Sequence, residues 1–140
     1  MLPDPRRISD TASWVAKASQ DIRYAEIDLA AQPAAPEDAV FHCQQAIEKT
    51  LKAFLVWHDE PFQRTHDLGR LGKQAVQIDP TLEPLVEGIV DLTKYAWLFR
   101  YPGDPVGPTA EEASDALGRA RRVLAEVLAR LPDAAHPSSA

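Results

Sequence analysis

Arg64, His66 and Asp67 lie within four residues of one another in the stretch RTHDLGRL at 64–71. An imidazole beside a carboxylate is the usual material of proton transfer, and a nearby guanidinium can hold a developing anion. The same residues also suit the joint between two helices. Thr65 can serve as an N-cap, and Asp67 in the first helical turn would complement the dipole. His66 can hydrogen-bond back to the preceding loop or to the neighbouring helix. A single histidine whose partner the sequence does not fix is weak support for catalysis, so the joint is the favoured reading and proton transfer the alternative.

The remaining chemistry-bearing residues are sparse. His42 and His58 fall on the helical pattern that precedes this stretch, and His136 falls near the C-terminus. The neighbours His42–Cys43 and His58–Asp59 are adjacent and face different directions on a helix, so no zinc site is expected. No phosphate-binding loop, no dinucleotide-binding glycine pattern and no nucleophile–base pair is present, and neither metal nor cofactor is expected. The formal net charge is −6, against a globally basic nucleic-acid footprint. A single cysteine, Cys43, forbids an intrachain disulfide and fits a reducing cytoplasm. No stretch reaches the roughly 20 apolar residues of a membrane span.

The elements that must position these residues are helices. Ser9 or Asp10 can cap the first, in which Val15, Ala18, Ile22, Ala25 and Leu29 recur at three- and four-residue steps beside Trp14. AQPAAPED at 31–38 breaks it, and Pro36, Glu37 and Asp38 suit the first turn of the second. There Val40, Cys43, Ile47, Leu51 and Phe54 form an apolar stripe. Gln45, Lys49 and Lys52 are expected to be at least partly exposed, with Glu48–Lys52 an i,i+4 pair. Gln44 lies close to the stripe, where a buried amide needs partners and a cross-helix bond is expected. A third helix follows Thr65 with Leu68, Leu71, Ala75 and Ile78. A fourth follows DPTLEP with Leu85, Ile89, Leu92, Ala96 and Phe99 inward.

RYPGDPVGP at 100–108, with three prolines and two glycines, makes a loop. Thr109 and Glu112 then form a capping-box pattern for a fifth helix running to Pro132, and 133–140 reads as a flexible tail. The expectation is one all-α domain over 1–132, an up-and-down antiparallel bundle of four to five helices. The fifth helix is apolar over a broad face, and Val86, Val90 and Trp97 form a second set off the main stripe of the fourth. A wide core face accounts for this. A subunit interface anchored by Trp97 and Tyr101 is the sharper alternative.

FHCQQAIEKTLKAFLVWHDEPFQRTHDLGRL, followed by LFRYPGD and EEASDALGRARRVLAEVL, resembles the HEPN domain family. The resemblance spans residues 10–131. Its most specific piece is the string Gln44, Gln45, Ala46, Glu48, Lys49, Leu51, Lys52, Ala53, joined by Thr65 to Leu68 and by Arg100, Tyr101 and Pro102. It implies a prokaryotic helical bundle that commonly dimerises, found beside minimal nucleotidyltransferases. Two functions are attached to such domains: binding nucleotide or RNA in support of a partner nucleotidyltransferase, and metal-independent RNA cleavage in toxin–antitoxin or defence systems. The cleaving members carry an arginine followed four to six residues later by a histidine.

This sequence departs there. Arg100 matches the arginine, but Asp104, Pro105, Val106 and Gly107 follow it, and the next histidine is His136. Arginine stays protonated and is a very poor base. The resemblance therefore implies a homodimeric module without the usual cleaving motif, binding its ligand through Arg100, Tyr101, Lys49 and Lys52. The alternative is an unorthodox ribonuclease toxin using Arg100 and His66.

Overall fold

The fold is given by a computed structural model that describes residues 4–96 and 107–137. It is an all-α bundle, with no strand among the described residues. Five α-helices follow in order: α1 (Pro5–Ala30), α2 (Pro36–Trp57), α3 (Leu68–Ile78), α4 (Glu83–Glu87) and α5 (Ala110–Leu128).

Helix α1 begins earlier than Ser9 or Asp10. Asp4 is its N-cap and accepts from the Arg6 amide at 2.9 Å. Pro5, with its φ preset and no amide to satisfy, occupies the first turn. Five connecting residues later α2 returns along α1, and a backbone bond from Ala35 N to Asp28 O (2.9 Å) closes the turn. The α2 stripe behaves as its spacing predicts: Val40, Cys43, Ile47, Leu51 and Phe54 are all buried. Ala39, Ala46 and Ala53 are buried as well, so α1 and α5 can approach α2 closely. Burial pushes the Cys43 thiol up to about 12, which keeps it protonated and inert.

Helix α5 starts on the capping box read from the sequence. The Glu112 amide donates to Thr109 Oγ1 at 3.0 Å, and Thr109 N donates to Glu112 Oε1 at 3.2 Å. Its inward face is Ala113, Ala116, Leu117, Ala120, Val123 and Val127. The chain beyond it does not trail away at once. Asp133–Ala135 form a 3-10 turn, Ala135 is fully buried, and the Leu128 carbonyl accepts from His136 Nε2 at 2.7 Å. The imidazole thus adds a second donor to a carbonyl at the end of α5 that already accepts from the Leu131 amide at 3.1 Å.

The fourth helix differs most from its expected course. α4 has five residues, and Gly88 leads into a 3-10 segment at Val90–Ala96. Pro80, Pro84 and Gly88 punctuate this stretch too often for a regular helix to propagate. Ile89 and Leu92 still reach the core, and Val86 is buried rather than set aside for an interface. Val90 is 46 % exposed. Phe99 and Trp97 lie outside the described residues.

Val86 is buried because Gly72 admits it. A Cβ built on Gly72 would stand 2.5 Å from Val86 Cγ1, well inside contact distance. Gly72→Ala therefore forces α3 and α4 apart. The overpacking costs about 1–3 kcal/mol and outweighs the gain of up to about 1 kcal/mol in helix propensity, so the urea midpoint falls. Ile47→Ala, at a site with no exposure, costs about 2–5 kcal/mol in the same measurement.

Candidate functional site

The RTHDL stretch is a joint built around one buried carboxylate. Its side chain only 4 % exposed, Glu48 leaves α2 and points under the loop that links α2 to α3. His66 Nδ1 donates to Glu48 Oε1 at 2.7 Å, Lys52 Nζ donates to Oε2 at 3.0 Å, and Gln44 Nε2 stands 3.4 Å from Oε1. Gln44 also donates to the His66 carbonyl at 3.3 Å and accepts from Gln45 Nε2 at 2.8 Å. Gln44 is completely buried, and its partners lie on α2 itself and on the α2–α3 loop, in place of the expected cross-helix bond.

The start of α3 completes the joint. Asp67, not Thr65, is the N-cap; Oδ1 accepts from Gly69 N (2.9 Å) and Arg70 N (3.3 Å). Thr65 sits two residues back and accepts from the Asp67 amide at 3.0 Å. His66 and Asp67 precede the helix rather than occupying its first turn. The shift follows from the side chains: Asp67 reaches two free amides, and an aspartate at N-cap is as good as any residue there. The Leu68 amide is taken by Thr93 Oγ1 at 2.9 Å, which ties the 3-10 segment to the same point.

Lys52 contradicts its expected exposure. Only 7 % of it is accessible, and its ammonium lies 5.4 Å from the Trp14 ring centroid and 5.7 Å from that of Phe62. An i,i+4 pair with Glu48 was legible from spacing; its burial was not, because Trp14 and Phe62 come from outside α2 to cover it. Lys49 is half-buried, with Nζ 2.6 Å from Asp21 Oδ2 on α1. Asp21, itself buried, also accepts from His42 Nδ1 at 2.8 Å. Both lysines named for an anionic ligand thus hold internal carboxylates. Arg100 and Tyr101 lie outside the described residues.

An ionised carboxylate only accepts, so Nδ1 of His66 carries its hydrogen, and Nε2 is left with the lone pair in the neutral ring. The His66 side chain is 69 % exposed while its Glu48 partner is sealed. An outward imidazole oriented from behind by a buried carboxylate is able to accept a proton from a ligand. The sequence leaves the partner of His66 unplaced; the structure puts it eighteen residues back, at Glu48.

These polar contacts come from Gln44, Gln45, Glu48, Lys52 and the THDL stretch, the same positions on which the family likeness rests. The HEPN domain family model matches residues 11–131 of the 140. This chain belongs to the HEPN family. No curated protein and no solved structure gives a significant match to the chain. In this HEPN domain the matched region runs from the first turns of α1 through α5 to Leu131, the last buried leucine.

Removing Glu48 leaves a buried ammonium without its counter-charge. Glu48→Ala is expected to cost about 3–5 kcal/mol in chemical denaturation. His66→Ala removes only one charged hydrogen bond from an exposed ring, so it is expected to cost about 1.5–3 kcal/mol. Equal losses in the two variants would mean that Lys52 does not depend on Glu48.

Proposed function

We propose that this HEPN domain is a homodimeric binding module for a partner nucleotidyltransferase and for nucleotide or RNA, with the ligand held by Arg100 and Tyr101. The observation that carries this reading is the commitment of the most specific string of the family to the fold. Glu48, Lys52 and Gln44 bond to one another and to the His66 joint. They stabilise a platform and leave ligand contact to residues beyond it. Arg100 precedes the Pro/Gly loop, with a planar fork suited to phosphate and a neighbouring tyrosine suited to stacking on a base. No histidine stands four to six residues after Arg100, which argues against the usual cleavage chemistry. Val90, ten residues before Arg100 in the sequence, is exposed, which supports an association surface on the 3-10 segment.

One observation favours the ribonuclease alternative. His66 presents a free nitrogen outward with its other nitrogen fixed on Glu48, the arrangement a base needs to take a 2′-hydroxyl proton.

A fluorescent ATP analogue and a labelled single-stranded RNA, titrated with the purified protein in EDTA, separate the two. The module reading expects saturable binding by a dimer, intact RNA, and loss of binding in Arg100→Ala with an unchanged thermal midpoint. Normal binding by Arg100→Ala would remove Arg100 from the ligand site. Cleavage that survives EDTA and vanishes in His66→Ala would replace the module with the ribonuclease. A monomer mass by light scattering at micromolar protein would count against the dimer.

A further inference from the structure

A second polar cluster lies on the α1–α2 turn. Asp28 is on the last turn of α1, Asp38 on the first turn of α2, and His42 one turn further along the same face. One ligand atom from each falls within 4.8 Å of the other two. We propose that Asp28, Asp38 and His42 form a binding site for a divalent transition-metal ion of the zinc class.

The geometry of the histidine is the first support. His42 Nδ1 donates to Asp21 Oδ1 at 2.8 Å, which fixes the tautomer and turns Nε2 to the cluster. A ring nitrogen held from behind by a carboxylate is the usual arrangement of a metal-ligating histidine. Asp21 is balanced by Lys49 Nζ at 2.6 Å, so it can serve as that support without adding net charge. Nε2 stands 3.4 Å from Asp38 Oδ2. Zinc bonds of about 2.0–2.2 Å to nitrogen and oxygen, in a tetrahedron, put neighbouring ligand atoms about 3.3 Å apart. The pair is therefore spaced as two corners of one zinc site.

The second support is independent of the first. Asp28 Oδ2 is sealed from solvent and is the one buried side-chain polar atom without a hydrogen-bond partner among the described residues. A proton on His42 Nε2 would serve Asp38 and leave that oxygen unserved. A dication between the three would serve all of them. No lysine or arginine among the described residues pairs with Asp28 or Asp38; Lys49 is taken by Asp21 and the nearby Arg121 by Glu26. Cys43 follows His42 but is fully buried in the core and is not among the three clustered residues. Three protein ligands leave the ion a further position for water or a phosphate oxygen.

The sequence hid this site because its three residues are not in a metal-ligand spacing. Asp38 and His42 share a helical face at i,i+4, but Asp28 joins them only once the turn folds back.

Titration calorimetry of the metal-stripped full chain with zinc chloride at pH 7.5, together with Co2+ absorption, tests the proposal. One Zn2+ per chain is expected. The Co2+ form should show visible d–d bands without the near-ultraviolet band of a thiolate ligand. Asp38→Asn and His42→Ala should each weaken Zn2+ binding more than about tenfold, the least expected even for loss of a supporting partner. His58→Ala should bind as the parent does. Asp38 is largely exposed, so Asp38→Asn keeps the test decisive if circular dichroism shows that His42→Ala does not fold. Absence of Zn2+ binding by the parent chain, unchanged binding by Asp38→Asn, or a thiolate band in the Co2+ spectrum would each overturn the site.

Discussion

The position of a buried glutamate governs how this bundle is assembled. Glu48 has too little contact with water to be left alone, so the chain must bring it donors, and it brings them from two directions. Lys52 comes from one turn along α2, and His66 comes from the loop that crosses that helix, its carbonyl held there by Gln44 as well. Burying a charge pair gains little or nothing over an apolar substitute of similar volume. What the Glu48 network supplies is placement. It fixes where the α2–α3 loop crosses α2, hence where Asp67 caps α3, and hence where Gly72 meets Val86.

Helix α2 carries a second polar network, and the two share a logic. Asp21 on α1 gathers His42 and Lys49, as Glu48 gathers Lys52 and His66. In each, one sealed carboxylate accepts from a lysine and a histidine, and the histidine is the more accessible route to solvent in the Glu48 case. A bundle whose apolar faces are largely alanine, valine and leucine could slide or rotate by a turn at small cost. Directional bonds at two points along α2 oppose that. The two cross-links set the register of α1 on one face and of the joint on another.

The parts that were legible in the sequence are those decided within one turn or one helix. Val40, Cys43, Ile47, Leu51 and Phe54 follow from periodicity alone, and the Thr109–Glu112 box from a local pattern that needs no tertiary partner. The failures have a common source. Lys52 looks exposed on a helical projection because nothing in α2 reveals that Trp14 and Phe62 will cover it. Thr65 and Asp67 both cap well in isolation, and the choice between them depends on where His66 is pulled by Glu48. Helix α4 has the apolar spacing of a helix, yet its prolines and Gly88 divide it, and 3-10 geometry carries Leu92 into the core instead. His66 reads in the sequence as a histidine without a placed partner, because that partner, Glu48, lies on a different element.

The bond from the Leu68 amide to Thr93 Oγ1 has a consequence for the order in which the chain assembles. It closes a 25-residue excursion, α3 through the 3-10 segment, at its own base. Helices α1 and α2 are joined by a short turn and can pair early, since short loops close at small entropic expense. Helix α5 must wait for a much longer closure unless the excursion shortens it. Once Thr93 is held at the start of α3, the chain entering α5 sets out from a point already docked on α2. With that bond made, the loop that remains to be closed before α5 packs is the shorter for it.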